Sequence, residues 1–231
     1  MKTFVLFIGF VLFLSVGYAQ TNCEPYVPVD KGSVWEITNY SAKGKPTGRI
    51  VHELVNKVEN ANEITFTIKT ITYDTKDEEI YTNTFDAKCS NGKFEFDMAV
   101  KMDGGALKAY ENMEVTVDAS KFEIPSFNSP SGSSLEDGSL MVKVGTGAIA
   151  MFKMTVLVTE RIVEGKEELV TPAGSFKCII ISQKVSTKMM IRVRGSSKEW
   201  YAENTGLVRS ESYNKKGKLM GYSELTKITL N

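Results

Sequence analysis

Few residues in this chain can do chemistry. It holds one histidine and three cysteines among 231 residues. A proton shuttle needs a partner group, and a zinc site needs two or three further ligands. With so few donors, neither a metal site nor a cofactor is expected. His52 lies in the extended run Ile50 to Val58 and shares parity with Ile50 and Leu54. It therefore points to an apolar face, as a hydrogen-bonded histidine of the core or rim. Met151 and Met154 offer soft sulfurs that could suit copper(I), but residues three apart on a strand face opposite sides. Methionine as an adaptable core filler is the better account.

The remaining candidates fail on spacing. Tyr73-Asp74-Thr75-Lys76-Asp77-Glu78-Glu79 is acidic, but it lacks the glycine and the distal bidentate glutamate of a calcium loop. A solvated hairpin tip is expected there. There is no G-x-S-x-G elbow, and Gly145-Thr146-Gly147-Ala148 is neither a Walker loop nor a dinucleotide fingerprint. Asn39-Tyr40-Ser41 is a formal glycosylation sequon of a kind that arises often by chance. No enzymatic activity is expected. Large aromatics on a β scaffold can instead line a ligand mouth, and Trp35, His52, Trp200 and Tyr201 are the expected lining residues.

Charge excludes another class. Lys and Arg number 28 against 28 Asp and Glu, so no basic excess exists to neutralise phosphates, and nucleic acid is not an expected partner. The first twenty residues read as a secretory signal peptide. Lys2 precedes the apolar run Phe4–Val16, and Gly17 and Ala19 are small, which puts cleavage after Ala19 or Gln20. The run is too short to span a bilayer, so no transmembrane segment is expected after processing. Gln20, Thr21 and Asn22 before Cys23 do not fit a lipoprotein signal. Without this segment, roughly 39% of the mature chain is hydrophobic and its net charge is near −1. Export places Cys23 and Cys89 in an oxidising space, where both can sit at a sheet margin and pair as a disulfide. Cys178 alternates with Phe176 and Ile180 and reads as a buried thiol.

The elements that must position these residues are strands. Ile64, Phe66 and Ile68 alternate with polar residues, as do Phe94, Phe96 and Met98, and Phe152, Met154, Val156 and Val158 share one face. Val185, Thr187, Met189, Ile191 and Val193 share another, with Lys188, Arg192 and Arg194 opposite. The phase slips between Ile68 and Ile71, where a β-bulge is expected. Phe176 to Ile181 is apolar on both parities and reads as a central strand covered on both sides. Turns are expected at Lys43-Gly44-Lys45, Asn91-Gly92, Glu164-Gly165-Lys166, Pro172-Ala173-Gly174 and Lys216-Gly217-Lys218. Gly105 to Met113 reads as one short helix, and Ser126 to Gly138 as a loop. Tyr40 to Gly48 echoes Tyr213 to Gly221, each a strand ending in tyrosine before a basic glycine turn.

Several stretches together resemble a known family. They are Thr171-Pro-Ala-Gly-Ser-Phe-Lys-Cys178, Glu199-Trp-Tyr-Ala202, Gly206-Leu-Val-Arg209 and Tyr213-Asn-Lys-Lys-Gly-Lys218, preceded by Trp35-Glu36 and by Cys89-Ser-Asn-Gly92 to Asp97-Met98. In this order they resemble the TapB-like family of bacterial exported β-proteins, a domain of unknown function. The resemblance implies an exported antiparallel β fold and carries over no catalytic residue. The Thr-Pro-Ala-Gly and Trp-Tyr patterns are also similar to exported open-barrel proteins, some of which carry lipids or lipoproteins; that link is one of fold alone.

The expected architecture is all-β: an antiparallel open or flattened barrel, or a curved sandwich, with one short helix. Residues 1–20 are the signal peptide and 21–231 a single exported domain, with N-terminal strands over about 33–100, the helix and loop over about 101–138, and C-terminal strands over about 139–230. The protein is expected in the periplasm or on the extracellular face of a bacterial envelope. It is expected to bind an apolar or amphipathic small ligand without catalysis. The alternative is an assembly module that meets an envelope protein through its edge strands or the Ser126–Gly138 loop.

Overall fold

The computed structural model describes residues 23–101, 113–146 and 149–231. The signal segment with Ala19 and Gln20, the body of the expected Gly105–Met113 helix, and Gly147-Ala148 lie outside them. The strands are β1 (Val34–Ser41), β2 (Pro46–Glu59), β3 (Glu63–Tyr73), β4 (Glu79–Ser90), β5 (Lys93–Asp97), β6 (Glu114–Ala119), β7 (Lys121–Ile124), β8 (Ser134–Leu135), β9 (Gly138–Thr146), β10 (Ile149–Thr171), β11 (Gly174–Lys188), β12 (Arg192–Ala202), β13 (Gly206–Asn214) and β14 (Leu219–Thr229). One 3₁₀ turn, Met98–Lys101, follows β5.

All pairings are antiparallel, in the order β6-β9-β10-β11-β12-β13-β14-β1-β2-β3-β4-β5-β7, with β8 added to β10. The two edge strands, β6 and β7, are consecutive in the chain and separated only by Ser120. Thirteen strands laid flat would hold their edges roughly 60 Å apart, a span one residue cannot bridge. The sheet is therefore rolled into a nearly closed barrel. Ser120 joins the edges itself: its N–H donates to the Ser139 carbonyl (2.9 Å) and its own carbonyl accepts from the Met98 N–H (3.0 Å).

Arg161 of β10 clamps the same seam from inside, and it is almost fully buried. Its guanidinium donates to the carbonyls of Glu123 (2.6 Å) and Glu136 (2.7 Å) and to Gln183 Oε1 (3.2 Å), and it lies 3.7 Å from the Phe122 ring centre. A cation so placed satisfies backbone acceptors that edge strands would otherwise leave unpaired.

Bulges set which side chains face in. Glu160, with φ of 51°, sits where the β10–β11 register shifts. Before it Val156 and Val158 face the core; after it Arg161 and Val163 do, and Ile162 is exposed. Gly165 is a second irregularity within β10, so the turn expected at Glu164–Lys166 is a kink inside one long strand. The slip expected between Ile68 and Ile71 is also corrected. Phe66, Ile68, Thr70 and Thr72 keep one inward phase, and the extra residue is Val55 on the partner strand β2. The alternating run through Val193 does not continue either, because a turn at Met189–Ile191 ends β11 and starts β12.

The Tyr40 and Tyr213 segments adopt the same turn. Gly44 N–H donates to Ser41 and Ser41 N–H to Lys45; Gly217 N–H donates to Asn214 and Asn214 N–H to Lys218. A glycine on the neighbouring strand meets each tyrosine carbonyl. A Cβ on Gly221 would stand 2.8 Å from the Tyr40 carbonyl oxygen, and one on Gly195 would stand 2.2 Å from that of Tyr213.

The opposite end is plugged. Cys23 and Cys89 form a disulfide with Cα atoms 5.6 Å apart, fixing the N-terminal segment to β4. From there the Pro25 carbonyl accepts from Asn204 N–H and the Tyr26 hydroxyl donates to the Pro125 carbonyl, both at 2.8 Å. Tyr26 packs edge-on against Phe94 and Tyr201. Cys178 is a free, buried thiol, and burial pushes its pKa up to about 12.

Candidate functional site

The strands wall a partly open cavity of about 570 Å³, within the 300–1,000 Å³ range of small-molecule sites. Its wall is mostly apolar, built from inward positions of β1 to β5 and β13, including Trp35, Ile37, Ile50, Ile68, Phe85, Phe96 and Leu207. Tyr26 and Val27 of the plug close one end. Toward the other, where the β1–β2 and β13–β14 turns lie, the wall becomes polar with Asn39, Ser210, Ser212 and Ser223. Ser223 donates to Asn39 Oδ1 at 2.6 Å.

Trp35 and His52 are register partners on β1 and β2. Their rings stack with centres 5.1 Å apart, and the edge of His52 meets Phe85. His52 Nδ1 shares a 2.8 Å hydrogen bond with the Thr70 hydroxyl. Burial pushes the imidazole down to about 4, so the ring is neutral at neutral pH. That makes it an aromatic wall element with one polar atom engaged.

The one charged feature of the wall is a compact cluster. Lys101 Nζ donates to both carboxylate oxygens of Glu199 (2.7 and 2.8 Å) and to the Tyr201 hydroxyl (3.1 Å), and that hydroxyl donates to Glu199 Oε2 (2.8 Å). The ammonium lies 4.5 Å from the Phe122 ring centre. Burial lowers the Lys101 pKa against the pull of Glu199. Burial, and then the neighbouring Glu199, raise the Tyr201 phenol well above its ordinary value. With its hydrogen bonds mutually satisfied, the cluster presents a polar but compensated patch to an otherwise oily space.

Of the expected lining residues, the structure brings Trp35, His52 and Tyr201 to the cavity. Trp200 is a correction. Adjacent strand residues face opposite sides, so Trp200 and Tyr201 cannot both look inward. Trp200 packs on the outer face with Cys178, Ile180, Ala202 and Val208, and its indole N–H donates to Glu167. Glu199 was legible by the same rule, because it shares the parity of Tyr201. Lys101 ends the 3₁₀ turn and carries no periodic signal. Among the described residues, no group of three or more His, Cys, Asp or Glu could hold a metal ion, and no helix is long and apolar enough to cross a membrane.

Fold and cavity together define a class: a nearly closed antiparallel barrel, hollow within and plugged at one end by its own N-terminal segment. The chain belongs to the DUF3108-like family, whose pattern matches residues 30–225. It is similar to a Bacteroides fragilis protein described as exported and as having a YmcC-like fold. The two share 25% identity and a TM-score of 0.79, over 90% of this chain and 100% of that one. It is also similar to a Parabacteroides distasonis protein described as a lipoprotein, with 20% identity, a TM-score of 0.79, and coverage of 90% and 99%. At that identity the second likeness shows the fold alone. No curated protein matches the chain.

Proposed function

We propose that this protein is an exported, non-enzymatic carrier of one apolar or amphipathic small molecule, held inside its barrel. The observation that carries the reading is the cavity itself: about 570 Å³ of space walled by Trp35, Phe85, Phe96 and aliphatic side chains, where burying an apolar ligand is favourable. The serine-lined end and the Lys101–Glu199–Tyr201 patch would take the polar part of an amphipathic guest. Export rests on the apolar leader of the sequence and on the Bacteroides fragilis relative described as exported; the narrower TapB-like resemblance is part of the same reading. Because the Cys23 sulfur is joined to Cys89, it is not free for a lipid thioether, which favours a form released into the periplasm or outside the cell. The assembly-module alternative has less support, since the edge strands run into each other at Ser120 and Arg161 ties the 126–138 loop to the barrel through Glu136.

Native mass spectrometry of gently purified mature protein tests the proposal. A recurrent bound mass is expected, and it should be lost when Ala87→Phe fills the wall. A protein that is always empty, and that fails to take up an added fatty acid or phospholipid, would refute it.

A further inference from the structure

We propose that the β11–β12 hairpin tip is a finger that docks the protein on an anionic lipid bilayer. Seven successive residues, Lys188-Met189-Met190-Ile191-Arg192-Val193-Arg194, are exposed. Met190 is 96% exposed, Ile191 78% and Val193 66%, values that a water-facing hairpin has no reason to maintain with such residues. The sheet leaves this tip standing free on one side. The last β13 residue, Asn214, pairs with Gly195, so Arg192, Val193 and Arg194 have no partner in β13.

Charge selects the occupant. No acidic residue occurs between Lys184 and Lys198, and Lys188, Arg192 and Arg194 are in no ion pair among the described residues. The neighbouring β13–β14 turn adds exposed Lys215, Lys216 and Lys218 on the same rim. Aliphatic and thioether side chains at the very tip, flanked by cations of one sign, match an anionic interface: the tip enters the acyl boundary and the cations stay with the headgroups. Of the described acids of that rim, Asp74, Asp77, Glu78 and Glu79 lie at the β3–β4 turn and the start of β4, beyond the β1–β2 hairpin, with Asp77 paired to Arg49, and Glu114 stands at the start of β6, three strands from the finger. Repulsion there tilts the barrel so that the β11–β14 side meets the surface. The serine-lined end of the cavity lies toward this rim, although the docking does not depend on the cavity being filled.

Flotation of the disulfide-bonded mature protein with vesicles of phosphatidylethanolamine containing a quarter phosphatidylglycerol tests the finger. Wild type is expected to float with these vesicles but not with pure phosphatidylcholine, and to be released by high salt. Replacing the tip with Met190→Ser and Ile191→Ser should lower partitioning about a hundredfold. Replacing the cations with Arg192→Gln and Arg194→Gln should lower it roughly thirtyfold. Neither double variant should shift the melting temperature, since none of these side chains is buried. Absence of wild-type flotation on anionic vesicles, or flotation unchanged in the tip variant, overturns the proposal. So does vesicle-free dimerisation that the tip variant abolishes, which would assign the finger to a second copy of the chain.

Discussion

Acidification should weaken this fold through His52, and the size of the effect follows from its place in the wall. The imidazole lies against Trp35 and Phe85, where burial favours its neutral form and holds it down to about 4, against about 6.5 in the unfolded chain. Between those values the unfolded state binds more protons than the folded one. Stability is therefore complete above about pH 6.5 and is lost as pH falls through the window. At about pH 5 the loss is about 2 kcal/mol, rising to about 3.4 kcal/mol below the folded value. These are upper bounds, because the ring also borders the cavity and water entering there solvates the imidazolium. The assay is urea unfolding at about pH 7.5 and about pH 5, compared between wild type and His52→Asn. Asparagine can keep the hydrogen bond to Thr70 but does not titrate, and the carboxylates common to both proteins cancel in the comparison. Wild type should lose about 1–2 kcal/mol more than the variant on acidification. An identical pH dependence in the two proteins would refute the placement of His52 as a neutral wall residue.

Four further outcomes are expected. Lys101→Met leaves Glu199 buried without its cation and should cost about 3–5 kcal/mol, whereas Lys101→Met with Glu199→Gln should recover part of that in chemical denaturation. Arg161→Met removes the donors to the Glu123 and Glu136 carbonyls; at about 1–3 kcal/mol per orphaned acceptor, it should lower the melting temperature and open the seam near Ser120 to limited proteolysis. Gly195→Ala drives a methyl group into the Tyr213 carbonyl and should destabilise the barrel by about 1–3 kcal/mol in a thermal melt, while Gly217→Ala on the open turn strains only one residue's backbone. Denatured, unreduced protein should show a single reactive thiol, that of Cys178, and reducing the Cys23–Cys89 bridge should cost roughly 4 kcal/mol for a loop of its length.

The strands could be read from the sequence because a half-buried sheet imposes period two on its side chains, and Phe94 with Phe96, or Phe152 to Val158, obey it plainly, although Met98 already belongs to the 3₁₀ turn after β5. What period two cannot reveal is where the phase breaks. At Glu160 one extra residue flips the face, so that Arg161 enters the core and Ile162 leaves it, against what either side chain's polarity suggests. The Lys188–Arg194 stretch misleads in the opposite way. It alternates well enough to pass for a strand interior, yet it holds a turn without glycine, proline or asparagine. Cavity residues divided along the same line. Trp35, His52 and Tyr201 stand at inward positions and Trp200 at an outward one, a distinction that ring size alone does not make; Lys101 ends an irregular turn and leaves no pattern to read.

The cavity itself arises from strand number more than from any one side chain. About eight strands close a barrel that the side chains of its own wall can fill. A path of thirteen paired strands makes a wider or flatter ring, whose facing side chains do not meet across the interior. Folding must then place other material inside, and this chain does so in two places. Residues 23–30 cross one end, carrying Tyr26 and Val27 inward, and the seam contributes Phe122 and Arg161 from the other flank. Between these two fillers lies the space bordered by the Trp35–His52 pair and the Lys101–Glu199 cluster. If that space were merely a packing defect, filling it with Ala87→Phe would stabilise the protein at no functional cost, since a dry apolar void forfeits dispersion contacts. If it is a site, the same substitution gains stability and loses the guest, and that trade separates the two cases.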